Sequence, residues 1–224
     1  MIDYTFTRSK RKTIALYIRD GGVEVRAPLK MPRSAIDKFV ASKEKWITDK
    51  LLQSNEQAER REQFSLDYGD CVNYCGRQYP IAARANSRIG FDNAAFYMPP
   101  SLSPEQIKSA CIQIYRGLAK RHLSERVAVY AEQMGVMPAA IKINGAKTRW
   151  GSCSAKKSLN FSWRLIMADE QVIDYVAVHE LAHITEMNHS ARFWMIVEGV
   201  LPDYRERKAK LKALQQRLNT EDWE

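Results

Sequence analysis

Residues 172–189 read Val172-Ile173-Asp174-Tyr175-Val176-Ala177-Val178-His179-Glu180-Leu181-Ala182-His183-Ile184-Thr185-Glu186-Met187-Asn188-His189. The segment decides the fold, because an apolar pattern at helical spacing (Val172, Val176, Leu181, Ile184) carries two histidines four residues apart. Side chains at i and i+4 lie on one helix face, so both imidazoles can reach a single cation. Asp169 is the candidate N-cap of this helix. Zinc suits imidazole nitrogen, and a catalytic zinc takes three protein ligands with a further position open to water. Glu180 follows the first histidine, about 100° further round the helix, beside the cation rather than on it. There it is placed to act as catalytic base, taking a proton from water that the metal has acidified. Ionisable groups in so apolar a helix are costly to bury without a purpose.

A third ligand is required, and His189 lies six residues beyond His183, giving the pattern HExxHxxxxxH. For His189 to fold back, the helix must stop within about one turn of His183. Asn188 tolerates left-handed backbone angles and is expected to help the reversal. Glu186 and Glu198 are the rival ligands. The chain holds four histidines and three fall in this window, so His179, His183 and His189 are the expected set for one Zn2+ ion.

Working outward, Ser103-Pro104-Glu105-Gln106 is a capping signature. Ile107, Cys111, Ile114, Leu118, His122 and Val129 continue it as a helical stripe that ends at Gly135. His122 reads as a packed, hydrogen-bonded core histidine. Ile141 and Ile143 mark a short strand before the Asn144-Gly145 turn. Ser158–Leu165 alternates Leu159, Phe161, Trp163 and Leu165 with Asn160, Ser162 and Arg164, a strand with one buried face. The first thirty residues alternate around Gly21-Gly22, as a β-hairpin does. Pro32 opens a helical stretch through Ile36, Phe39, Val40, Trp46, Ile47 and Leu51. Residues 53–63 are nearly all polar, a solvated helix end or a linker, and 66–100 read as short strands and turns. The expectation is an α+β protein: residues 1–100 a basic, β-rich region with one long helix, and 101–224 the catalytic domain.

The 224 residues carry 35 Lys+Arg against 26 Asp+Glu, a net charge of +9. The excess sits upstream: residues 1–61 hold 14 basic and 8 acidic groups, whereas 148–224 hold 11 of each. A basic N-terminal region suits nucleic acid or another polyanion. A solvated surface is the plainer reading, since no block of five or six like charges occurs. With 45% hydrophobic and 27% charged residues the composition is that of a globular protein. No apolar run approaches the roughly 20 residues that span a bilayer, and nothing near the N-terminus suggests export, so the expected location is cytoplasmic, away from membranes. Cys71, Cys75, Cys111 and Cys153 form no CxxC pair and read as free thiols.

Several motifs together resemble the YgjP-like metallopeptidase-domain family. They are Thr148-Arg149-Trp150-Gly151-Ser152-Cys153-Ser154, Leu159-Asn160-Phe161-Ser162-Trp163-Arg164-Leu165, His179-Glu180-Leu181-Ala182-His183, Met187-Asn188-His189-Ser190, Phe193-Trp194 and Leu201-Pro202-Asp203-Tyr204. Arg11-Lys12-Thr13, Val23-Glu24-Val25-Arg26-Ala27-Pro28 and Lys45-Trp46-Ile47 extend the likeness over nearly the whole chain. The family is related in its metal helix to SprT-like and WLM-type zinc proteases, several of which act on proteins attached to DNA. Metzincins share the ligand spacing but place Gly where this chain has Glu186.

The resemblance implies a zincin-like α+β domain, with the Asn160–Leu165 strand as the edge that pairs with substrate. It implies a zinc-dependent peptidase acting on protein or peptide. A zinc hydrolase of nucleoside triphosphates is the alternative, since metal-activated water also attacks phosphorus. A third reading is a nucleic-acid-binding protein with weak hydrolase activity. Tyr175, Arg149, Arg192 and Tyr204 are the candidate transition-state stabilisers, although Tyr175, like Trp150, also reads as core packing. Cys153 reads as a small buried thiol.

Overall fold

The computed structural model describes residues 2–19 and 21–223. The chain packs as two units. One takes in the chain up to Phe64 with Asn219–Asp222, and the other takes in Ser65–Leu218 with Trp223. The division therefore falls after Phe64, not at residue 100. The strands between 71 and 98 belong with the second unit because they pack on its long helix: Phe96 lies against Tyr115, whose hydroxyl donates to the Asn73 carbonyl at 2.6 Å.

In the first unit β1 (Thr5–Ser9), β2 (Ala15–Arg19) and β3 (Gly22–Pro28) form a sheet of order β1-β3-β2. The expected hairpin is β2–β3, with Leu16 opposite Val25; β1 joins β3 in parallel, a pairing no local signal announces. The helical stretch is two helices, α1 (Arg33–Ser42) and α2 (Glu44–Glu62), broken at Lys43. Residues 53–62 are thus a solvated helix end. Val23, Val25, Ala27, Ile36, Val40 and Ile47 make the core, while Trp46 lies half exposed.

The second unit begins with β4 (Cys71–Tyr74), β5 (Arg77–Ala83), β6 (Gly90–Phe91) and β7 (Phe96–Met98), ordered β4-β5-β7-β6. The β4–β5 turn is Cys75-Gly76, with φ of 47° and 78°, the two left-handed residues of a type I′ hairpin. Its Cys75 N–H donates to the Ile166 carbonyl at 2.9 Å. A Cβ on Gly76 would collide with Asp169, so the turn buttresses the start of the metal helix.

Helix α3 (Pro104–Met134) carries the expected reciprocal capping box between Ser103 and Gln106, and stops at Gly135 with φ 64°. Ile107, Cys111, Ile114 and Leu118 are buried, but Val129 is 52% exposed and off the stripe. His122 is half-buried against Tyr74, and its Nε2 has no hydrogen-bond partner among the described residues. The expected bond is therefore missing at that nitrogen.

Strands β8 (Ala140–Asn144), β9 (Gly151–Cys153) and β10 (Ser158–Ser162) form a sheet of order β8-β10-β9. Because β8 and β10 run parallel, Asn144-Gly145 closes no hairpin; Asn144 Oδ1 instead accepts the Ala146 N–H at 3.0 Å. The strand expected to reach Leu165 stops at Ser162, and Trp163–Met167 forms a buried 3-10 turn. Its polar side chains turn inward: Ser162 donates to the Ala146 carbonyl, and Arg164 to that of Gly145 at 2.8 Å. β10 is also paired on both sides, so it is not the substrate-pairing edge that the resemblance implied. Among the described residues, the edge strand of this sheet next to the metal helix is β9.

Helix α4 (Glu170–Ala182) starts after Asp169 and is buried on every side from Val172 to Val178 and again from Glu180 to Ala182. Helices α5 (Ala191–Val200) and α6 (Tyr204–Leu218) complete the unit. A helix apolar all round must be enclosed by other elements, and α3, α5, α6 and β9 enclose it. In its first half one carboxylate enters this packing. Asp174 accepts two bonds from Arg126 of α3, at 2.6 and 2.9 Å, and Arg207 of α6 stands at 3.9 Å. Among the described residues no helix is long and apolar enough to cross a membrane.

Removing one partner of a buried ion pair strands the other in low dielectric. Asp174→Ala is therefore expected to destabilise the second unit by about 3 kcal/mol in urea unfolding followed by tryptophan fluorescence. Asp174→Asn, which keeps an acceptor, should lose less. No change in the midpoint for Asp174→Ala would show that the pair does not hold α4.

Candidate metal centre

The last turn of α4 brings His179 and His183 to one face, and the chain then reverses. The reversal needs no left-handed residue: Asn188 is not among the residues with positive φ. Instead the helix tightens, with Ile184 N–H donating to the Leu181 carbonyl at 3.0 Å and Thr185 N–H to that of Ala182 at 3.1 Å. Ser190 then caps α5, its hydroxyl accepting the Phe193 N–H at 3.3 Å.

This path returns His189 to the helix. One ring nitrogen from each of His179, His183 and His189 lies within 4.8 Å of the others, and the Nε2 atoms of His179 and His189 stand 3.0 Å apart. Ligands of a tetrahedral zinc at about 2.0–2.1 Å from the ion sit about 3.3 Å from one another. His183 Nδ1 is 3.1 Å from the Glu186 carbonyl. A carbonyl only accepts, so Nδ1 carries the proton and the lone pair of Nε2 is left for a cation. Burial, then the neighbouring histidines and Lys208, pull His179 down to about 3, so its ring is neutral near pH 7. The donor set thus fits a divalent cation that binds imidazole.

Glu180 is 5% exposed and lies against Gly151 of β9. A Cβ placed on Gly151 would lie 2.5 Å from its Oε1 and 2.6 Å from its Cγ. Only glycine lets the edge strand pass so close. Burial pushes the Glu180 carboxyl up to about 7, against the opposing positive charge of Arg149.

The remaining expected residues divide. Tyr175 is buried, its ring 5.9 Å from that of His179 and stacked on Tyr204, and burial, with Tyr204 and Glu180, pushes it up to about 12. Tyr204 is buried between Tyr175 and Trp194. Both tyrosines therefore pack against the site. Arg149 and Arg192 are exposed, and of the two only Arg149 acts on a site residue. Glu198 pairs with Arg205 at 2.8 Å, and Glu186 contributes its carbonyl to His183; neither carboxylate joins the histidine cluster. Cys153 is half-buried on β9, not fully buried, and all four cysteines are free. Sequence reasoning missed the Glu180–Gly151 contact. The Trp150-Gly151-Ser152 glycine was its one signal.

The sequence matches the family described as YgjP-like, metallopeptidase domain over residues 12–214. No curated protein matches it. Among solved structures it is similar to the metallopeptidase zymogen abylysin of Pyrococcus abyssi, at 22% identity and a TM-score of 0.39, covering 44% of this chain and 97% of that one. It is likewise similar to the zymogen jannalysin of Methanocaldococcus jannaschii, at 22% identity and a TM-score of 0.37, covering 41% and 94%. Likenesses this partial transfer no residue roles. The family match spans nearly the whole chain, histidine cluster included: this chain belongs to the YgjP-like metallopeptidase-domain family and is a metal-dependent hydrolase.

Proposed function

We propose that the protein is a zinc-dependent peptidase in which His179, His183 and His189 hold the ion and Glu180 is the general base. The observation that carries this reading is the convergence of three imidazole nitrogens within 4.8 Å, next in sequence to a buried carboxylate. When bound, the ion supplies Lewis-acid polarisation of a carbonyl and acidifies a water molecule. Glu180, held near 7 by burial, is matched to accept a proton on a carboxylate oxygen near neutral pH and return it to the leaving amine. Gly151 sets the position of that carboxylate, and β9, an edge strand among the described residues, is placed to pair with an extended peptide. Tyr175 and Tyr204 wall the histidine side and exclude water, and Arg149 is the cation best placed to meet developing negative charge.

The test uses zinc-loaded protein with casein and, separately, with the four nucleoside triphosphates, alongside Glu180→Gln. Casein cleavage should fall by about 100-fold or more in Glu180→Gln. Phosphate or pyrophosphate release that needs Glu180, with no proteolysis, would overturn the peptidase reading.

Two further variants separate ligand from neighbour. His189→Ala should lower zinc affinity beyond the roughly 10- to 100-fold typical of an outer-shell partner, whereas Glu198→Ala should leave it unchanged, both read by chelator competition. The reverse pattern would make Glu198 the ligand. Gly151→Ala should keep stoichiometric zinc yet lose about 100-fold in turnover, because a displacement near 1 Å is enough for that. Unaltered turnover would remove Gly151 from the account.

A further inference from the structure

Helix α6 carries cations on two opposite faces. Towards α4, Arg207 donates to the Gln171 carbonyl at 3.1 Å and pairs with Asp203 at 2.9 Å, and Lys210 bonds the Gln171 side chain at 3.3 Å. These charges are committed to packing. On the other face Arg205, Lys208, Leu211 and Lys212 form an open groove with Trp150, apolar along its floor. Arg205 is paired with Glu198. Lys208 and Lys212 have no carboxylate within salt-bridge distance among the described residues.

Residues on both sides of the groove adjoin the metal centre. Lys208 Nζ sits 5.0 Å from the centre of the Trp194 ring, which stacks on His189 at 5.7 Å and 22°. On the opposite wall Trp150 leads directly into Gly151, the residue in contact with Glu180. The groove therefore lies beside the metal centre, with Trp150 adjoining β9 on one side and Lys208 reaching Trp194 on the other. Two ammonium groups one helical turn apart, with no carboxylate at hand, repel each other and favour an anion between them.

We propose that this groove is a specificity subsite for an acidic residue of the substrate, a glutamate whose methylenes lie on Trp150 and Leu211 and whose carboxylate is received by Lys208 and Lys212. The charges steer and select such a substrate more than they add affinity. The inference rests on the peptidase reading for its substrate class, but the groove binds or fails to bind independently of turnover.

The test titrates fluorescent peptides that differ only in Glu, Gln or Lys at one position against zinc-loaded Glu180→Gln, so that binding is read without cleavage. Cleavage of the same peptides is then read with the unaltered protein. The Glu peptide should bind about tenfold more tightly than the Gln peptide at low ionic strength, an advantage that shrinks as salt rises. Lys212→Glu, and Lys208→Glu with Lys212→Glu, should abolish or invert the preference. Lys210→Glu, the same charge change on the opposite face, should keep it. Lys212→Glu has no contact with a histidine, so it remains informative if the change at Lys208 disturbs metal content. Equal binding of Glu and Gln peptides, or a preference that survives Lys212→Glu, overturns the subsite. Displacement of the Glu peptide by a nucleoside triphosphate at lower concentration than by free glutamyl peptide also overturns it, assigning the groove to phosphate. Selective binding without cleavage of any peptide supports the subsite and refutes the peptidase reading; unselective cleavage does the reverse.

Discussion

Helix α4 must be buried on all sides and yet deliver ionisable groups to one point. Everything around it answers that demand. Its apolar surface is enclosed by α3, α5, α6 and the β9 strand, and the one carboxylate buried in its first half, Asp174, is neutralised by Arg126 from α3 with Arg207 of α6 nearby. Its N-terminus is braced by the Cys75-Gly76 turn. At its C-terminus burial keeps His179 neutral and lifts the proton affinity of Glu180. The same desolvation that would destabilise charged side chains leaves one a neutral imidazole and gives the other a proton affinity suited to neutral pH.

What the sequence revealed was local. The capping box of α3, its glycine stop, the N-cap position of α4 and the end of α4 at Ala182 are each written in a few neighbouring residues. The histidine spacing is of the same kind, because a period of four on a helix is geometry rather than context. The reversal after His183 was foreseen, although its means was not: tightened turns replace the left-handed Asn188.

What was illegible depends on partners distant in sequence. Asn160 to Leu165 alternates as any half-buried strand does, and nothing in it says that β8 and β9 flank it on both sides. The unit boundary at Phe64 is hidden for the same reason, since short strands join whichever helix covers them. The break at Lys43 carries no proline or glycine to mark it. Charge shows a related limit. Residues 148–224 are neutral in sum, and that sum conceals a basic α6 with one face held by α4 and the other open beside the metal centre.

In the proposed site three imidazoles, and no carboxylate, complete the protein's share of the metal shell. X-ray absorption at the zinc edge of the loaded protein tests it most directly. Three imidazole scatterers are expected, with nitrogen at about 2.0–2.1 Å, and one further light-atom ligand. Two imidazoles with a carboxylate, unchanged in His189→Ala, would contradict it.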